Sequence, residues 1–255
     1  MELEKLVSTA CKANAALFDS AERYGSQYKT ALGMGYGETE KMTRVMLDRV
    51  GKQGSLPPVT ATKFTPTPWR SSIQSVVDAC KQSAERLGVE QIDLYQVHMP
   101  DIVQPFRIFG KAESKDELYW DGLAECYNLG LVKNVGVCNY GPTLTMRCQE
   151  ALAKRGVPLA SNQIAYSLIG RHNGAQETLD TCNDLGIKVL ASFPFAMGLL
   201  TGKYSSDPNK QLSQASLPSL VSNGKSKLEQ TELRRYAEGD GKTIPDGGIR
   251  PLHAA

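Results

Sequence analysis

Histidine is scarce in this 255-residue chain, with three in all, and its six cysteines (Cys11, Cys80, Cys126, Cys138, Cys148 and Cys182) contain no Cys-x-x-Cys pair. A structural zinc site needs four clustered nitrogen or sulfur ligands, so this scatter argues against a metal centre. Thiols spread over predicted helices and one strand end predict reduced cysteines in a reducing compartment. Neither sign of charge dominates: 29 basic and 27 acidic residues leave a net charge of +2, and no basic footprint for nucleic acid appears. No apolar run reaches membrane-spanning length. The opening Met1-Glu2-Leu3-Glu4-Lys5 reads as the start of an amphipathic helix and lacks the basic segment and apolar core of a secretory signal. These features predict a cytoplasmic protein with no membrane partner. An organellar location stays open if a targeting segment has been lost.

What is present is a regular alternation. With 41% hydrophobic and 22% charged residues, the chain can bury one large core. Strand-like runs occur at 15–19, 59–64, 92–98, 132–138, 159–165 and 187–193. Helical patterns lie between them. Ile73, Val76, Val77, Cys80, Ala84 and Leu87 form one stripe, with Ser71 or Ser72 placed to cap its start and Gly88 its end. Further stripes are Met42, Val45, Met46 and Val50, then Leu144, Cys148, Ala151 and Leu152. Such alternation predicts a parallel sheet with crossover helices. Gly33, Gly35 and Gly37 fail the spacing of a dinucleotide loop and read as a loop before a helix near Glu38.

Polar residues at the strand ends choose between a doubly wound sheet and a barrel. Asp19, Lys63, His98, Asn139 and Gln163 all sit at or just past the carboxyl end of a run. A closed ring brings all its strand ends around one mouth, whereas an open sheet gathers fewer at its switch point. The fold class is therefore α/β, of the (β/α)8 barrel type, with about six of the eight parallel strands.

The first three strand ends also carry a chemical pattern, because Tyr24 follows Asp19 closely. A phenol has a reference pKa of about 10 and donates protons poorly near neutrality unless its anion is stabilised. A lysine ammonium beside it favours the anion, and a carboxylate holds that lysine in place. Singly, each residue has a plainer role: Asp19 as a cap, Tyr24 as a loop plug, Lys63 as a solvated strand end, His98 as a buried imidazole. Jointly, Asp19, Tyr24, Lys63 and His98 make a proton-donating corner, with His98 orienting the group that receives the proton.

The strings carrying these residues are Phe18-Asp19-Ser20-Ala21-Glu22-Arg23-Tyr24-Gly25, Thr62-Lys63-Phe64 and Ile92-Asp93-Leu94-Tyr95-Gln96-Val97-His98-Met99-Pro100-Asp101. With Val135-Gly136-Val137-Cys138-Asn139-Tyr140, Asn162-Gln163, and Pro194 followed by Gly198-Leu199-Leu200-Thr201-Gly202-Lys203-Tyr204, the sequence resembles the aldo-keto reductases. That resemblance implies an NADP(H) cofactor and reduction of an aldehyde or ketone, a small-molecule carbonyl substrate, with Tyr24 protonating its oxygen. It implies that Asn139 and Gln163 bind the nicotinamide carboxamide, with Cys138 and Ser192 also in the cofactor pocket. Gly198, Leu199 and Lys203 would lie near the pyrophosphate. Cys138 stands where the family usually has Ser. Ser192 stands where an aromatic commonly stacks on the nicotinamide, and the adjacent Phe193 faces the other way unless the strand is bulged. A second reading is a catalytically silent protein of the same fold that binds and senses the cofactor.

The same resemblance frames the organisation. Residues 1–204 match strands two to seven of the family barrel, while 205–255 read as a surface loop, a partial helix and an irregular tail. The first and last strands of the family are absent from the sequence, so the chain is expected to be a truncated barrel. Residues 102–115 are expected to form either an apolar lid at the mouth or a segment packed against the barrel.

Overall fold

The computed structural model describes residues 2–15, 17–25, 36–50, 56–101, 114–171 and 174–201. Its elements alternate: α1 (Glu2–Lys12), β1 (Leu17–Asp19), α2 (Glu38–Val50), β2 (Val59–Phe64), α3 (Ile73–Leu87), β3 (Ile92–Val97), α4 (Asp116–Asn128), β4 (Val132–Cys138), α5 (Pro142–Ala153), β5 (Leu159–Ala165), α6 (Ala175–Asp184) and β6 (Lys188–Ser192). Residues 1–192 pack as one compact unit, and residues 193–255 belong to a second. The expected tail from residue 205, and most of the expected lid, lie outside the described residues. No described helix is long and apolar enough to cross a membrane.

Among the described residues all five strand pairings are parallel, and the sheet order is β1-β2-β3-β4-β5-β6. A doubly wound sheet would reverse its order at a switch point; strict succession is the wall of a (β/α)8 barrel. One hydrogen bond shows how far that wall has rolled. Gln163 on β5 donates its side-chain amide to Asp19 at the end of β1, 2.9 Å away. In a flat sheet, four strand spacings of about 4.8 Å each would hold those backbones about 19 Å apart.

The helices form as their patterns predict, with one exception, although Ile73 at the head of the α3 stripe is 38% exposed. Ser72 caps α3 by accepting the Ser75 amide, and Gly88 follows the helix with φ 69°, a left-handed conformation that costs glycine little. Val76, Val77, Cys80, Ala84 and Leu87 are buried against Phe64 of β2, Tyr95 of β3 and Tyr119, Trp120 and Leu123 of α4. All six cysteines are buried, unpaired thiols. The exception is α2, where Met42 is 53% and Val45 43% exposed while Glu40 is fully buried. Glu40 accepts from the Thr62 hydroxyl and from Arg86 Nε, each at 2.6 Å. Two charge-assisted bonds thus turn the polar face of α2 inward, against its apolar stripe.

Candidate active site

Strand ends β1 to β5 converge on one corner. Lys63, the fifth residue of β2, is fully buried and donates to Asp19 Oδ2 at 2.5 Å and to the Ser20 carbonyl at 2.8 Å. Its Nζ lies 4.8 Å from the centre of the Tyr24 ring, so the ammonium faces the aromatic ring. Tyr24 packs edge-on against His98, with ring centres 5.4 Å apart, and is 39% exposed. The predicted quartet is therefore assembled from the carboxyl ends of three strands and the turn after the first, segments that lie far apart in sequence.

His98 is tuned by its surroundings. Burial first, then the positive charges of Lys63 and Arg23, lower its pKa to about 4. It is a neutral imidazole at physiological pH, and its buried Nδ1 has no hydrogen-bond partner among the described residues. A neutral imidazole retains one N–H donor, which is what orienting a carbonyl oxygen requires.

The carboxylate of Asp19 is shared more widely than the sequence indicated. Besides Lys63, Oδ2 accepts from Gln163 Nε2, and Oδ1 accepts from Gln96 Nε2 at 3.4 Å. Gln96 is fully buried and in turn accepts from Ser161 Oγ at 3.4 Å. Gly136 allows this crossing, because a Cβ there would meet Ser161 Oγ at 2.4 Å and Gln96 Cγ at 3.0 Å. Gln96 was missed because a glutamine in an apolar strand carries no signature of its own. Its place two residues before His98, on the alternation that points inward, is the signal that could have found it.

Asn139 lies one residue past β4 with φ 62°, an asparagine-tolerant turn that breaks the strand. Its backbone N–H donates to the Gln163 carbonyl at 2.8 Å, and its side-chain amide donates to the His98 carbonyl at 3.1 Å. The neighbouring Asn162 faces the opposite way, bonded to the Tyr140 carbonyl and Thr145 hydroxyl, and serves packing. Cys138 Sγ stands 4.0 Å from Gln163 Oε1, its pKa pushed up to about 12 by burial first, so it is a protonated thiol and no nucleophile. Ser192 ends β6, its carbonyl accepting the Tyr166 amide.

Past β6 the chain leaves strand geometry at once. Phe193, Ala196 and Met197 have φ of 55°, 48° and 53°, and Gly198 has 98°. Gly198 and Leu199 fall in the short helical turn Ala196–Thr201, while Lys203 lies outside the described residues. Among the described residues, no cluster of three or more His, Cys, Asp or Glu could hold a metal ion.

A family model described as "Aldo/keto reductase family" matches residues 1–246. Among curated proteins, the chain is 32% identical to "Pyridoxal reductase, chloroplastic" of Arabidopsis thaliana, over 97% of this chain and 65% of that protein. It is 30% identical to "Aldo-keto reductase str7" of Strobilurus tenacellus, over 79% of this chain and 53% of that one. The chain thus spans between half and two thirds of the length of these relatives. Among solved structures, an aldo-keto reductase of Bombyx mori in complex with NADP superposes with a TM-score of 0.58 at 22% identity, covering 92% of this chain and 69% of that one.

Proposed function

The chain belongs to the aldo/keto reductase family, and from that premise we propose that it reduces an aldehyde or ketone to an alcohol with NADP(H). The observation that carries this reading is the buried Lys63–Asp19 pair beneath the Tyr24 ring, with neutral His98 against the same ring. Bound, the cofactor would supply the hydride. Its nicotinamide fits the donor set: Asn139 just past β4 and Gln163 within β5 are joined through their backbones, and though each side-chain NH2 donates once within the protein, to the His98 carbonyl and to Asp19, each amide has a second N–H and an oxygen to offer a carboxamide.

Each residue of the quartet then has a task. Tyr24, reachable from solvent, donates its hydroxyl proton to the substrate oxygen. Lys63 keeps a positive charge beside the phenolate that donation leaves, and Asp19 keeps Lys63 in place. His98 donates one N–H to the same oxygen and fixes its direction. Proton donation of this kind contributes about 10² to 10⁴ in rate. The rest would come from alignment and from charge placed where the oxyanion develops.

The test follows NADPH absorbance with a panel of aromatic aldehydes, using Tyr24→Phe as control. Turnover by the parent and its loss in Tyr24→Phe support the reading. Equal inactivity of two folded proteins refutes it. Quenching of protein fluorescence by NADPH without turnover would assign the chain a cofactor-binding role instead.

A further inference from the structure

Among the described residues, the Tyr24 ring touches His98 edge-on and faces Lys63, and the residue is 39% exposed. Two residues earlier stands Glu22, 1% exposed and bound on every side. Its carboxylate accepts the Thr65 amide at 2.5 Å and takes Arg70 in a two-pronged grip, Nη1 on Oε1 and Nη2 on Oε2. Its backbone N–H donates to the Lys63 carbonyl at 3.4 Å, and its carbonyl accepts from Gly37 at 2.6 Å. Glu22 thus lies two residues before Tyr24 and grips the chain on both sides of Phe64, two residues past Lys63 and at Lys63 itself.

Arg70 is equally fixed. Its guanidinium lies 4.8 Å from the Phe64 ring centre and 5.3 Å from that of Tyr36, Nη1 donates to the Thr65 carbonyl at 3.0 Å, and its own carbonyl accepts the Tyr119 hydroxyl at 3.1 Å. Burial disfavours its charge, yet bonding to Glu22 raises its pKa overall. A buried ion pair of this kind contributes little net stability, since desolvation offsets its attraction; its best-attested use is to fix one arrangement over others.

We infer that Glu22, clamped by Arg70, is the positioning residue that sets the Tyr24 turn against Lys63. This rests on the reading of Tyr24 as the proton donor. Glu22 reaches neither substrate nor cofactor and acts only through the turn.

The experiment compares the parent with Glu22→Gln, Glu22→Asp, Arg70→Lys and Tyr24→Phe on the full chain. It reads kcat, KM, NADPH affinity by fluorescence, thermal stability, and the nitration rate of Tyr24 by tetranitromethane, resolved by peptide mass spectrometry. In Glu22→Gln, kcat is expected to fall by about 10², the cost of a misplacement near 1 Å, with KM and NADPH affinity close to the parent's. Tyr24 nitration should rise several-fold, and Glu22→Asp should recover part of both readouts. Should Glu22→Gln fail to fold, Arg70→Lys, which retains the charge but not the fork, carries the same test. A Glu22→Gln protein of lower stability but parental kcat and nitration overturns the inference. If Tyr24→Phe remains as active as the parent, the proposed chemistry fails instead, and the nitration rates still decide whether Glu22 positions the turn.

Discussion

Removing either member of the Asp19–Lys63 pair should destabilise the protein very unequally. Lys63 is fully buried, whereas the Asp19 side chain retains 26% of its exposure. In Asp19→Asn the ammonium keeps the Ser20 carbonyl at 2.8 Å and an amide oxygen, but no anion. An uncompensated buried charge costs about 3–5 kcal/mol, and the two remaining oxygens place the expected loss near about 3 kcal/mol. In Lys63→Met the buried charge disappears and the methionine fills most of the lysine stem. Asp19 then still accepts from Gln163 at 2.9 Å and Gln96 at 3.4 Å and meets water on its open side. The expected loss is about 1 kcal/mol or less. Urea unfolding followed by tryptophan fluorescence should separate the two variants by about 1 M in midpoint for a typical slope of about 2 kcal/mol/M. The double variant should lie close to Lys63→Met, because the orphaned charge is gone. A Lys63→Met protein as unstable as Asp19→Asn would refute the assignment of burial and partners on which the inequality rests.

Three further outcomes are expected. His98, lowered to about 4 by burial, is neutral when folded but protonates near 6.5 when unfolded, so its contribution to stability is present above about pH 6.5 and is lost as pH falls toward 4; urea midpoints between pH 7.5 and 4.5 should drop less steeply in His98→Asn. Gly136→Ala should cost about 1–3 kcal/mol, since its Cβ would meet the Ser161 hydroxyl and the fixed Ser161 carbonyl at 3.1 Å, and calorimetry should show partial relief in Gly136→Ala with Ser161→Ala. All six cysteines are buried, so native protein should resist iodoacetamide and label fully in urea, as mass spectrometry would count; rapid native labelling of Cys138 would contradict its burial and raised pKa.

The sheet order and the convergence of strand ends were legible because they follow from short-range patterns: period-two runs, helical stripes and a glycine after α3. The quartet was legible because its members fall at strand ends, where a parallel barrel places its chemistry. The supports beneath it were hidden. Glu22 meets Arg70 across 48 residues, and Glu40 meets Arg86 across 46. Charge patterning within one element cannot show a pair made between elements, and a glutamate near a turn reads as solvated until its partner is in place. The same blindness misjudged α2, whose apolar stripe gave way to Glu40. The bond from Gln163 to Asp19 was equally unreadable: the sequence assigned that amide to a ligand alone, but the roll of the sheet also brings it to a carboxylate on β1.

That bond has a kinetic consequence. Asp19 and Gln163 are 144 residues apart and belong to strands that never pair, so it depends on every intervening βαβ unit having formed. Contacts of such sequence separation are late in assembly, because the loop entropy between them is recovered only once the shorter loops have closed. The Asp19–Gln163 closure is thus expected to come last, and a partly assembled chain carries the proposed catalytic side chains without the full support of Asp19. Emergence of the proposed reductase activity during refolding should accordingly lag the recovery of helical circular dichroism, making that chemistry the reporter of the final closure.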